Sequence, residues 1–335
     1  MNTNYSKIAF LAALFALTVV ILGAYTRLSN AGLGCPDWPG CYGHLTVPQT
    51  ATDIQNAQIK FPGQVVQAPK AWKEMVHRYF AGTLAILIFV LAVWAIKLRM
   101  HYRRQPIVLP ALLLLLVIFQ ATLGMWTVTW KVLPIIVSIH LLCGLAITAL
   151  LWHLMLITKP KRQTIIQALY FKKWVLFGLL LLVLQIFLGA WTSTTYSALA
   201  CHDFPFCHGM LFPNLELRQA FQIFQPIGIN YEGGVLETPL RMTIQMMHRY
   251  GAFITSIYLY VLAIRIIFSS KTAGLRGITG LLILVLTLQL LLGIGNVLLG
   301  LPMWTAVLHN AVAVVLLLIV VTLLYRLKSP VQLLF

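Results

Sequence analysis

Charge is the first thing this sequence lacks. Only 9% of its 335 residues are Asp, Glu, Lys or Arg, against roughly a quarter in a soluble domain. Acids are scarcest: seven, against 24 Lys and Arg, for a formal net charge of +17. So few charges cannot clothe a water-exposed surface, which excludes a soluble enzyme or binding module. The basic excess does not gather into a reading surface; it stands beside hydrophobic runs, which excludes nucleic acid as partner. Cysteine is sparse too. The five present form no C-x-x-C pair, so the common zinc and thioredoxin-like spacings are missing.

Apolar residues fill the space that charge leaves. They make up 60% of the chain, and mean hydropathy is +0.88. Several runs reach the ~20 residues that cross a ~30 Å hydrocarbon layer. They lie at about residues 8–26, 76–96, 107–128, 135–157, 174–195, 243–268, 277–299 and 304–325. The runs are continuous rather than alternating, so the fold class is an all-α polytopic membrane protein with lipid as its surroundings. The first run is longer than a signal-peptide core and has a counterpart deep in the chain, so it reads as a retained span.

Orientation follows from the basic residues. Lys97, Arg99, Arg103 and Arg104 share one connection, Lys159, Lys161, Arg162, Lys172 and Lys173 another, Lys271 and Arg276 a third, and Arg326 and Lys328 the tail. These alternate with the other side, so the positive-inside rule sets them and both termini in the cytoplasm. The acids Asp37, Asp53, Glu74, Asp203, Glu216, Glu232 and Glu237 fall in or beside the opposite loops. The cysteine segments then lie on the outer side of a bacterial-type cell membrane, where disulfides persist.

The chain is written twice. GAYTRLSNAGLGCPDWPGCYGHLTVP from Gly23 aligns with GAWTSTTYSALACHDFPFCHGMLFP from Gly189. KEMVHRYFAGT around His77 aligns with IQMMHRYGAFI around His248, FQATLGMWT with LQLLLGIGN, and VSIHLLCGLAI around His140 with AVLHNAVAVVL around His309. Four helices per half start on the same side, so the repeat is parallel, about an axis along the membrane normal. It predicts two pseudo-twofold-related four-helix bundles, residues 1–165 and 166–335.

Four of nine histidines occupy matched places: His77, His140, His248 and His309. A single histidine in a membrane helix reads as an interhelical hydrogen bond. Two symmetric pairs, each at similar depth near the outer ends of two helices, fit bis-histidine haem iron ligation in a bundle. Zinc wants three or four ligands, and only Glu74 stands near. Arg78 and Arg249 follow the first histidine of each pair and are candidates for haem propionates or for headgroup snorkelling; Arg27 is a further propionate candidate. His44, His101, His202 and His208 read as solvated, and His153 and Cys143 as packing.

The halves differ at one telling place. Glu74 stands three residues before His77, whereas Gln245 stands three before His248. A carboxylate beside a haem can act as a base or stabilise a developing cation, and an amide can do neither. The plain alternative is an exposed acid near the start of a helix, favoured by the helix dipole.

With these residues in view, the chain resembles the haem A synthase family. The likeness rests on GCPDWPGC at Gly34–Cys41, EMVHR at Glu74–Arg78, the second His-Arg at His248, and the late histidines His140 and His309, and it covers essentially the whole chain. It implies a haem b cofactor on His248 and His309, and substrate haem O on His77 and His140. It also implies oxidation of the C8 methyl of haem O to a formyl group by successive hydroxylations, with Glu74 critical. Haem O synthase (the farnesyltransferase) and oxidase assembly factors are its implied partners, with room for a homo-oligomer.

Five residues separate Cys35 from Cys41 and Cys201 from Cys207. Both pairs read as local structural disulfides folding a loop over each haem mouth; an exchanging thiol pair is the sharper alternative for the first. Asn214–Phe224 reads as an amphipathic interfacial helix. Two rivals to the enzyme remain: a di-haem electron-transfer cytochrome, against which the one-sided histidines argue, and a haem transporter or chaperone, which needs no carboxylate at Glu74.

Overall fold

A computed structural model describes residues 3–159 and 169–327. Lys161, Arg162, Lys328 and the expected boundary at residue 165 fall outside the described residues. Eight helices are long and apolar enough to cross a membrane: α1 (Thr3–Leu28), α3 (Ala68–His101), α4 (Val108–Thr129), α5 (Pro134–Thr158), α6 (Leu169–Thr194), α8 (Thr238–Phe268), α9 (Arg276–Leu298) and α10 (Met303–Arg326). No β-strand is present among the described residues.

The spans close into two rings. In the first, α1 packs on α3, α3 on α4, α4 on α5 and α5 on α1; in the second, α6 packs on α8, α8 on α9, α9 on α10 and α10 on α6. The rings meet through α1–α10, α5–α6 and α5–α10. Each ring has an apolar core toward the end away from the cysteine loops. Leu91, Leu113, Leu151 and Leu154 belong to the first, and Leu259, Leu282, Leu317 and Leu323 to the second. All four matched histidines lie beyond these cores, toward the other end.

Two spans begin earlier than hydropathy alone predicts, at Ala68 and Thr238. Pro69 and Pro239 sit in the first turn of each helix, where a fixed φ and a missing N–H cost nothing, so the helices extend past their apolar part. Glu74 is therefore nearly two turns inside α3, and it is only 5% exposed. The exposed end-of-helix acid is excluded.

Two loop readings change as well. The loop between α1 and α3 holds α2 (Ala51–Lys60), started by a reciprocal capping box of Thr50 and Asp53. The expected amphipathic helix over 214–224 shrinks to α7 (Leu217–Ala220). The Ala220 carbonyl accepts the indole N–H of buried Trp191 at 3.0 Å.

Candidate active site

Each matched histidine rests on a glycine of the neighbouring helix. A Cβ placed on Gly23 of α1 would lie 2.9 Å from His77 Cε1 of α3, and one on Gly124 of α4 would lie 3.3 Å from His140 Cε1 of α5. In the other ring, Gly189 of α6 stands in this relation to His248 Cε1 at 3.1 Å, and Gly293 of α9 to His309 Cε1 at 3.1 Å. A side chain would crowd the ring at each place, most at Gly23, so glycine lets imidazole and helix backbone meet. One rule covers all four places: α1, α4, α6 and α9 offer the glycine, and α3, α5, α8 and α10 offer the ring.

Four residues before three of these glycines, on the same helix face, stands a glutamine that reaches the same histidine. Gln120 donates to the His140 carbonyl at 3.0 Å. Gln185 donates to the His248 carbonyl at 3.0 Å and lies 2.9 Å from its Nδ1. Gln289 lies 3.1 Å from His309 Nε2. The fourth place, before Gly23, is Val19. His77 therefore lacks the glutamine that the other three histidines have, and its Nδ1 is buried without a hydrogen-bond partner, like those of His140 and His309.

His77, His140, Glu74, Arg78 and Arg27 all border one cavity of about 780 Å³ in the first ring. That volume falls within the ~300–1,000 Å³ of small-molecule sites. The wall is mostly apolar and takes in Ser193 and Thr194 of α6 and Asn310 of α10, so the second ring closes one side.

The Glu74 carboxylate is gripped at both oxygens. Oε1 lies 2.5 Å from Arg78 Nη2, and Oε2 accepts the Cys35 backbone N–H at 2.9 Å. Arg78 Nη1 also donates to the Asp37 and Pro39 carbonyls at 3.0 and 3.3 Å, and to that of Gly40. At the matched place, Gln245 Oε1 accepts the Cys201 N–H at 2.5 Å, while its amide donates to the Ala198 carbonyl at 2.7 Å. Arg249 donates to the carbonyls of Asp203, Phe206 and Cys201 at 2.9, 2.6 and 3.0 Å. Its buried Nε has no partner. Both arginines are thus tied into the cysteine loops rather than snorkelled outward.

The loops are built for that purpose. Cys35 is bonded to Cys41 and Cys201 to Cys207, with Cα atoms 4.8 Å apart in each. Asp37 accepts the N–H groups of Tyr42 and Gly43 at 2.6 and 2.8 Å, and Asp203 those of His208 and Gly209 at 2.9 and 2.8 Å. Gly43 and Gly209 each have φ of +77°, the left-handed turn that closes the loop. The Gly209 and His208 amides hold the Asp203 carboxyl below its ordinary value. Burial pushes the Tyr42 phenol up, so it stays a donor, to the Val65 carbonyl at 3.2 Å.

Arg27 has a different post. Its Nη2 donates to the Ser193 carbonyl at 2.6 Å, and its guanidinium sits 4.1 Å from the centre of the Tyr196 ring. Ser193 is its own counterpart in the alignment, so this contact ties the two rings together. His44, His101, His202 and His208 are exposed, His153 packs edge-on against Tyr325, and Cys143 is a buried free thiol.

The family described as COX15-CtaA, cytochrome oxidase assembly protein, matches residues 6–321. The chain belongs to that family. Among COX15-CtaA relatives, heme A synthase of Shewanella oneidensis is 46% identical over 315 residues, covering 93% of each chain. Heme A synthase of Allorhizobium ampelinum is 28% identical over 332 residues, 91% of this chain and 85% of that one. Heme A synthase of Halalkalibacterium halodurans is 26% identical over 289 residues, 82% and 87%.

Sequence reading of this COX15-CtaA chain found the histidines, Glu74 and the cysteine pairs but not the glycines or glutamines. Their signal is present as Q-x-x-x-G at Gln120–Gly124, Gln185–Gly189 and Gln289–Gly293. Each motif sits on a different helix from its histidine, and only packing pairs them.

Proposed function

We propose that this chain is a haem A synthase, an oxidoreductase that takes haem O and oxidises the methyl at porphyrin C8 to a formyl group by successive hydroxylations. The first half, residues 1–165, receives haem O between His77 and His140. The second, residues 166–335, holds haem b through His248 and His309. Four imidazoles on glycine ledges, two per ring, support the reading: paired neutral nitrogen donors inside a helix ring suit an axially ligated iron porphyrin. When bound, haem b supplies a one-electron redox centre.

The observation that carries the assignment of chemistry to the first half is the buried Glu74 carboxylate at the cavity wall, where the second half has Gln245. Glu74 can take a proton from the reacting carbon's surroundings or stabilise positive charge there. Arg78 and the Cys35 amide hold it in one orientation, so the disulfide loop positions the acid. Arg27, Arg78 and Arg249 are proposed to meet the haem propionates, Arg249 through its unpartnered Nε. The cysteine loops face the outer side and both termini the cytoplasm, as the basic connections require. The farnesyltransferase that makes haem O and the oxidase assembly machinery are the proposed neighbours.

The paired-histidine reading is tested by absorption of the purified protein. His248→Ala with His309→Ala removes the reduced haem b bands, whereas His77→Ala with His140→Ala leaves them in place. Bands unchanged by the first double variant would overturn the cofactor site.

A further inference from the structure

The cavity of the first ring does not end at the histidines. An open groove lies between α1 and α3, bordered by Leu11, Leu14 and Thr18 on one side and Ile86, Leu87 and Val90 on the other. Thr83 and Ile86 border both the groove and the cavity. Leu11, Leu14, Ile86 and Val90 are also open at the outer face of the ring, 58, 41, 66 and 48% exposed, where the surroundings are lipid. The groove therefore lies beside the histidine cavity, on the face of the ring that meets the hydrocarbon layer.

Its chemistry is apolar throughout. Thr18 and Thr83 return their hydroxyls to the carbonyls of Leu14 and Tyr79 at 3.3 and 2.9 Å, leaving no free donor for a ligand. Phe15, in the same wall, is stacked on Phe80. At 1.5 Å per residue, the stretch from Thr83 to Val90 is about 10 Å long and leads away from the cysteine loops.

At the matched place the second ring carries aromatic side chains. The counterparts of Leu11 and Leu87 are Phe177 and Tyr258. Their rings meet edge to face across α6 and α8, with centroids 5.1 Å apart, and the Tyr258 hydroxyl is fixed to the Trp174 carbonyl at 2.8 Å. Gly82 and Thr83, at the mouth, become Phe253 and Ile254. A Cβ on Gly82 would meet nothing within 4 Å, so the first ring keeps open space where the second carries a phenyl ring.

We infer that the groove between α1 and α3 is the seat of the isoprenoid tail of the substrate and its entry from the lipid, and that the aromatic closure at Phe177 and Tyr258 makes the second ring accept only an untailed haem. This rests on the reading of haem O as substrate. The tail lies along α1 and α3 while the porphyrin stays at the histidines, so the groove selects tailed from untailed haem without touching the reacting carbon.

The test copies the second ring into the first. Purified full-length protein is titrated with haem O and with protohaem, which has no isoprenoid tail, while absorption is followed; His77→Ala marks the first-half site. Wild type is expected to bind haem O at least tenfold more tightly than protohaem. Leu11→Phe with Leu87→Tyr should abolish that preference and leave protohaem affinity unchanged, and Ile86→Trp is the second variant. Undiminished haem b in the second ring certifies folding. Retention of the tenfold preference in both variants would overturn the groove as tail seat. Titrations of the wild type that ignore His77→Ala would overturn the haem O reading itself, and the inference with it, before any groove variant is made.

Discussion

At the scale of single residues, the molecule separates scaffold from chemistry by one atom pair. Glu74 and Gln245 have the same shape, the same burial and the same backbone donor, the amide of Cys35 or Cys201. Only the carboxylate can exchange a proton. Glu74→Gln should therefore keep the loop contact, since Gln245 already makes it, and keep haem b at wild-type content. Conversion of haem O should fall by about 10²-fold or more, the usual scale of a lost acid–base group. Haem analysis of the purified variant and of its product checks both; product at the wild-type rate would remove Glu74 from the chemistry. The Glu–Gln difference is legible in the sequence because the repeat lines the two up. That Arg78 clamps the acid to the loop is not, since its contacts to the Asp37 and Pro39 carbonyls are made by backbone folded 39 to 41 residues earlier.

At the scale of elements, helix pairs with glycine ledges do the positioning. Adding bulk to a tight interior costs roughly 1–3 kcal/mol, or about five- to 150-fold in a binding constant. Gly189→Val brings its side chain against His248, whose ring already lies 3.1 Å from a bare Cβ. It should lower haem content of the second ring by about tenfold or more, read from the absorption of the purified protein. Gly280→Ala on α9, where a Cβ meets nothing within 4 Å, is the control and should leave content unchanged. Equal content in both variants would show that the ledge does not set the ring. Hydropathy located the spans because every one carries a long apolar run, yet it placed the starts of α3 and α8 late, because their first turns are polar. It also had no means to pair Gln185 with His248 or to see that Val19 leaves His77 without such a partner, since those contacts cross between helices. The capping box at Thr50 and Asp53 was readable from spacing alone, whereas α7 ends where the Trp191 indole takes the Ala220 carbonyl, a contact 29 residues apart.

At the scale of the whole molecule, the two rings are joined by contacts between positions that the internal alignment matches: Arg27 with Ser193, and Tyr196 with Asn30, each 166 residues apart. The rings then diverge in what they leave open. The first has a carboxylate at its cavity wall and an open groove between α1 and α3; at the matched positions the second has an amide and a contacting aromatic pair. On the proposed reading the first ring takes the substrate and the second the cofactor, and this asymmetry favours haem modification over a symmetric electron-carrying cytochrome. The most direct measurement is the mass of the haem extracted from membranes that make haem O, with and without this chain. Haem A should appear only when the chain is present, and only haem O should be found when the chain carries Glu74→Gln. Haem O recovered unaltered in the presence of the wild-type chain would contradict the proposed enzyme and leave a haem carrier in its place.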